Sequence, residues 1–78
     1  MLAPQFDVQN KTILKNETVK PEELVKNIQD DSDTKVYFVK EYIFDEEKTY
    51  QVGVVVEDSY GNKTEKNAYI QVQNQDKQ

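Results

Sequence analysis

The segment from Thr49 to Val72 limits what this chain can fold into more than any other. In Thr49-Tyr50-Gln51-Val52-Gly53-Val54-Val55-Val56-Glu57, the residues Tyr50, Val52, Val54 and Val56 fall two apart, and Ala68, Ile70 and Val72 do the same further on. An extended backbone turns alternate side chains to opposite faces, so each run presents one apolar face. Between the runs, Asp58-Ser59-Tyr60-Gly61-Asn62-Lys63 supplies turn chemistry. Two β-rich alternating runs broken by such a cluster predict a hairpin. Asp58, Gly61 and Asn62 are expected to shape the turn. Aspartate accepts backbone N–H bonds, glycine supplies positive φ, and asparagine tolerates the left-handed region.

The remaining chain reads as shorter pieces. Leu2 to Val8 is an expected opening strand, confined to a sheet edge by Pro4. Thr12 to Lys15 is a second short extended piece. Pro21 to Ile28 predicts one or two helical turns, because Pro21 suits the first helical position and Glu22 and Glu23 favour the first turn. Leu24, Val25 and Ile28 then fall on one helical face, and a polar, acidic turn runs from Asn27 to Asp33. Thr34 to Val39 is the next strand, with Val36 and Phe38 inward. Tyr42 to Phe44 is expected to continue it after a kink at Lys40-Glu41, and Asp45 to Lys48 forms a loop. One domain is expected over residues 1–73, with 74–78 as a tail or the start of a linker.

Composition removes whole classes of function. With 78 residues the chain is one small domain, and it has no cysteine for a disulfide, a thiolate metal site or a thiol nucleophile. Histidine is absent as well, so no imidazole base or catalytic triad can be assembled around Ser32 or Ser59. A net charge of −5 opposes binding to phosphate backbones and to anionic lipid. No apolar run approaches the ~20 residues of a membrane span, and no signal peptide is expected in the residues before Ala3-Pro4. Asp30-Asp31-Ser32-Asp33 is the densest carboxylate cluster and the candidate for calcium, with Asp45-Glu46-Glu47 or Glu57-Asp58 joining from other loops. It lacks the EF-hand pattern, and carboxylate runs ordinarily form solvated turns. No cofactor is expected. Three Asn-x-Thr triplets, led by Asn10, Asn16 and Asn62, fit turns at least as well as glycan acceptors.

The pattern Thr49-Tyr50-x-Val52-x-Val54-x-Val56-x-Asp58-x-x-Gly61-Asn62-x-Thr64, closing on Ile70-x-Val72, resembles the last hairpin of bacterial immunoglobulin-like domains. Such modules occur in tandem in Gram-positive surface proteins, including internalin-type invasion proteins. Val19-Lys20-Pro21-Glu22-Glu23-Leu24-Val25 is similar to the family's first half. Glu47-Lys48 stand where that family usually carries Pro-Gly. The resemblance implies an all-β immunoglobulin-like sandwich with one short helical turn. It also implies a non-enzymatic spacer or protein-interaction module, extracellular and associated with the cell wall. Its partners would be neighbouring domains of the same surface protein and a host or cell-wall component.

Three rivals differ in kind. An α+β, β-grasp-like fold would lay the Pro21 to Ile28 helix across one sheet. A ligand-binding adhesin would use Tyr37 and Tyr69, which point away from the inward residues of their strands, and a calcium-stabilised linker would use the acidic loops. Tyrosine is enriched at interfaces, but a cross-strand aromatic can also simply shield a sheet.

Overall fold

The computed structural model describes residues 3–29 and 32–74. Among these, six strands and one 3-10 turn follow in order: β1 (Gln5–Val8), β2 (Lys11–Leu14), the turn Pro21–Leu24, β3 (Val25–Gln29), β4 (Thr34–Phe38), β5 (Thr49–Asp58) and β6 (Lys63–Gln73). They form two sheets, a β1-β3 pair and a four-stranded sheet in the order β2-β6-β5-β4. The architecture is all-β.

The alternating segment forms the centre of the larger sheet. β5 and β6 run antiparallel with Val52 opposite Ala68 and Tyr50 opposite Ile70. Val52, Val54, Val56, Ala68 and Ile70 are wholly buried, and Val72 nearly so. All but Val56 form the floor of a core that Ile13, Val19, Leu24 and Phe44 complete, with Val8, Val25, Val36, Phe38, Tyr42 and Tyr50 packed at its margin. At about 1.5–3 kcal/mol for each fully buried aliphatic side chain, this one face supplies most of what a small domain has for stability.

The first strand begins at Gln5, directly after Pro4, and each of β1 and β3 has one open edge. Leu2 lies outside the described residues. β1 and β3 pair with a register shift between Gln5 and Asp7. Asn27, with φ of 58°, takes up the extra residue in the left-handed region, and its Nδ2 donates to Asp7 Oδ2 at 3.0 Å. The pair is tied to β6 at one end of the sheet. There Thr64 Oγ1 donates to the Pro4 carbonyl at 2.6 Å and Lys66 Nζ to the Phe6 carbonyl at 2.7 Å.

Two expectations need correction. The helical reading of Pro21 to Ile28 holds only as far as Leu24, and Val25 and Ile28 belong to a strand in which Ile28 is exposed. A four-residue turn buries one large residue, Leu24, so the chain gains more by pairing with β1 than by extending the helix. Such a turn is too short to cross a sheet, which removes the basis of the β-grasp alternative. The second correction concerns Tyr42 to Phe44, which join no ladder. β4 stops at Phe38, and the Gly53 N–H, left without a strand partner, donates instead to the Tyr42 hydroxyl at 2.9 Å.

Gly53 itself is required by a close approach. A Cβ there would lie 2.9 Å from Val39 Cγ2 and 3.2 Å from Glu65 Oε2. Gly53→Ala is therefore expected to cost about 1 kcal/mol, the low end for overpacking, because the exposed Val39 side chain can turn aside. Urea unfolding of Gly53→Ala and of Gly53→Ala/Val39→Ala checks this: the second change should recover the loss. A double variant as unstable as the single one would locate the cost elsewhere.

The chain passes from one end of the larger sheet to the other. Pro4 lies beside Thr64, near the β5–β6 turn, while Gln73 ends β6 beside Leu14 and Lys15. At ~3.3 Å per residue, β6 from Thr64 to Gln73 spans about 30 Å. β2 and β6 pair in parallel along this axis, with Ile13 opposite Val72.

Candidate functional site

The turn between β5 and β6 is built around Asp58. Asp58 is 2% exposed, and its carboxylate accepts from three donors. The Tyr60 and Asn62 N–H groups donate to Oδ1 at 2.9 and 2.8 Å, and Asn62 Nδ2 donates to Oδ2 at 3.0 Å. Gly61 holds φ of 89°, where a side chain is strained. Asn62 is not in the left-handed region expected of it, since the described non-glycine residues with positive φ are Asn16 and Asn27; it serves by the hydrogen bonds of its backbone and side-chain amide. The other two triplet asparagines have structural roles as well: Asn16 occupies the left-handed region, and Asn10 Oδ1 accepts from the Tyr69 N–H of β6 at 3.1 Å. Tyr60 projects from the turn, 67% exposed.

Tyr37 and Tyr69 share the outer face of the larger sheet but do not meet. Tyr37 stands opposite Val55 and Tyr69 opposite Gln51, two strands apart, which strand geometry converts to about 16 Å. Tyr69 is exposed. The Tyr37 hydroxyl, by contrast, donates to Glu57 Oε1 at 2.7 Å. That bond favours the neutral phenol, and with partial desolvation and the Glu57 charge it raises the Tyr37 pKa above its ordinary value. What the bond contributes to folding is present below the ordinary phenol pKa of about 10 and is lost as pH rises through the raised folded value. The difference in phenolate absorbance between the parent and Tyr37→Phe should titrate at higher pH than the same difference measured in a Glu57→Gln background. Coincident curves would show that the pair does not form in solution.

Among the described residues no three of Asp, Glu, His and Cys converge as a metal-holding group. Asp30 and Asp31 lie outside the described residues. Ser32 Oγ accepts from the Ser59 N–H at 3.3 Å, which links the loop before β4 to the β5–β6 turn. No helix among the described residues is long and apolar enough to cross a membrane.

Sequence reasoning missed a cleft of about 410 Å³ at the end of the sheet where β6 finishes. Its wall is Phe38, Tyr42, Phe44 and Val19, with Glu17 and Glu41 at the rim. The rings support one another: Phe38 meets Tyr42 edge-on at 5.4 Å, Tyr42 stacks on Phe44 at 6.2 Å, and Phe44 meets Tyr50 edge-on at 5.1 Å. Ile43 stands beside the cleft 73% exposed, and Lys40 Nζ lies 5.5 Å from the Tyr42 ring centroid. The backbone there is fixed by the Asn16 N–H, which donates to the Phe44 carbonyl at 2.8 Å. The aromatic run Tyr42-Ile43-Phe44 was the available signal, but it reads equally as a strand.

The chain therefore offers two features at opposite ends of one sheet, a projecting turn and an aromatic cleft, and an outer sheet face between them. No family model matches the chain, and no curated protein shows significant similarity to it.

Proposed function

We propose that the chain is a non-enzymatic spacer module of a bacterial cell-surface protein, folded as an immunoglobulin-like sandwich and displayed outside the cell. The observation that carries this reading is the path of the backbone. Pro4 lies beside Thr64 and β6 finishes about 30 Å away, a layout that suits a module adding length to an array. Tension applied through the two ends would pull β2 and β6 in opposite directions along their shared axis. The parallel hydrogen bonds between Lys11–Leu14 and Ile70–Gln73 would then be loaded together, in shear, rather than opened one at a time. The hairpin resemblance supplies the surface-protein context, and the absence of histidine and cysteine from the sequence narrows the available chemistry.

Single-molecule stretching tests the proposal. Pulled through residues near 3 and 74, the module should resist a markedly higher force than when pulled through positions 58 and 63, which peels β5 from β6. Equal forces would remove the mechanical argument for a spacer. Antibody labelling of intact source cells tests the location, and labelling only after lysis would contradict it.

The calcium-linker alternative has a direct test of its own. With no ion required for folding, the melting midpoint should be the same in calcium and in chelator. A midpoint raised by calcium would favour the alternative, since a ligand bound only by the native state stabilises it.

A further inference from the structure

The outer face of the larger sheet divides into a charged half and an uncharged one. Lys35, Glu57, Lys63 and Glu65 stand on the half nearer the β5–β6 turn. Glu65 leans toward Gly53, where a Cβ would meet its Oε2 at 3.2 Å, and marks the border. Beyond it, the outward positions from Thr49 to Gly53 on β5 and from Asn67 to Gln73 on β6 carry no ionised group. The lysines of these stretches turn to the opposite side. Lys11 pairs with Glu23 at 3.3 Å, Lys48 Nζ lies 4.8 Å from the Tyr50 ring centroid, and Lys66 donates to the Phe6 carbonyl. Because 32% of the chain is charged, a neutral stretch of this extent sets the surface apart from the rest. Tyr69, 45% exposed, sits in its middle, framed by side-chain amides. Gln51 stands directly opposite on β5, its Cβ about 4.5–5.5 Å from that of Tyr69. Asn67 and Gln71 flank it on the same face at about 7 Å along the strand. Asn10 lies on the fourth side, where its Oδ1 accepts from the Tyr69 N–H. All four amide residues are exposed. Tyr37, by contrast, belongs to the charged half, where Glu57 holds its hydroxyl.

We propose that Tyr69 and its frame of amides form a binding platform for a neutral, extended carbohydrate. The face of an aromatic ring carries the negative lobe of its quadrupole and attracts the weakly positive C–H groups on the flat side of a pyranose. Each amide both donates and accepts, as a sugar hydroxyl does, so adjacent hydroxyls can be met in either orientation. The lack of ionised groups matches an uncharged ligand, and the net charge of −5 disfavours anionic glycans. Three neighbouring strands at ~4.8 Å spacing and the run from Asn67 to Gln71 give the platform an extent of about 10 by 13 Å. A flat surface of that size suits a β-linked chain, whose sugar rings lie in a ribbon, over a coiled α-linked one. The platform lies on the side of the sheet rather than at either end, so it does not depend on the spacer reading.

One ring and a few solvated amides support weak binding, with Kd on the order of 1 mM. Cellotetraose or the β-linked tetramer of N-acetylglucosamine, titrated into the isotopically labelled chain, should shift the side-chain amides of Gln51, Asn67 and Gln71 together with the backbone of residues 67–71. The Kd should not change with salt, because no charge takes part. Maltotetraose, which is α-linked, should bind several-fold more weakly. Tyr69→Ala should abolish the response, Tyr69→Phe should keep most of it because the ring remains, and Gln51→Ala should weaken it several-fold. All three alter exposed side chains, and native dispersion in the same spectra confirms the fold. Silence of the platform toward both β-linked probes up to ~10 mM, an unchanged response in Tyr69→Ala, or equal binding of maltotetraose would each overturn the proposal. So would shifts of these residues with chain concentration alone, which would assign the face to a second copy. The stretching result is untouched by any of these outcomes, so failure of the platform and failure of the spacer reading are distinguishable.

Discussion

Leu24→Ala is expected to destabilise the domain by about 2–5 kcal/mol, the range for removing a large aliphatic side chain from a core. Leu24 is wholly buried and belongs to the cluster formed by Val52, Val54, Ala68 and Ile70. It is the one buried residue of the 3-10 turn, which has no side-chain cap and is too short to persist alone. Truncation therefore opens a cavity and also loosens the segment that leads into β3. A domain of this size holds roughly 4–12 kcal/mol in total, so the upper end of the range would unfold a large share of molecules. Thermal melting should show a drop of about 4–8 °C for each kcal/mol lost. Val54→Ala, which removes fewer atoms from the same core, should cost less, about 1–3 kcal/mol. If Leu24→Ala were no worse than Ile43→Ala, whose side chain is exposed, the turn would not be seated on the sheet.

Asp58→Ala should cost about 1.5–3 kcal/mol, because hydrogen bonds to a charged group are worth more than neutral ones and their loss leaves three part-buried donors without this acceptor. Three donors, the Tyr60 and Asn62 N–H groups and Asn62 Nδ2, lose their acceptor at once. Asp58→Asn is the sharper comparison. It keeps the shape and one acceptor oxygen but replaces the other oxygen with an amide that would face the Asn62 amide. Urea unfolding should place it between the parent and Asp58→Ala. Equal stability of all three would mean that backbone bonds alone hold the turn, such as that from the Asp58 N–H to the Asn62 carbonyl at 2.9 Å.

How much of this was legible in the sequence differs by element. The β5–β6 hairpin was, because Val52, Val54, Val56, Ala68, Ile70 and Val72 are buried at two-residue spacing and the turn residues carry their own chemistry, although Val55 is buried on the opposite face as well. β3 was not. Leu24, Val25 and Ile28 have helical spacing, but the spacing arises from a turn, a strand and the bulge at Asn27 placed end to end. The parallel pairing of β2 with β6 left no local trace, because a four-residue strand carries no signal of direction or partner. Tyr42 to Phe44 read as strand because the residues are aromatic. They leave the sheet because a hydroxyl, rather than a carbonyl, satisfies Gly53. Tyr37 and Tyr69 were correctly placed on the outward face by alternation, but their separation depends on the register of three strands.

The layout of ends and axis depends on β2 lying parallel to β6, and a nuclear Overhauser spectrum of the labelled chain reads that pairing directly. Contacts between Hα and amide protons should connect Lys11–Leu14 with Ile70–Gln73 in ascending order, Thr12 beside Gln71 and Ile13 beside Val72. Cross-peaks in descending order, or contacts from Thr12 and Ile13 to another strand, would contradict the fold described and the pole-to-pole path drawn from it.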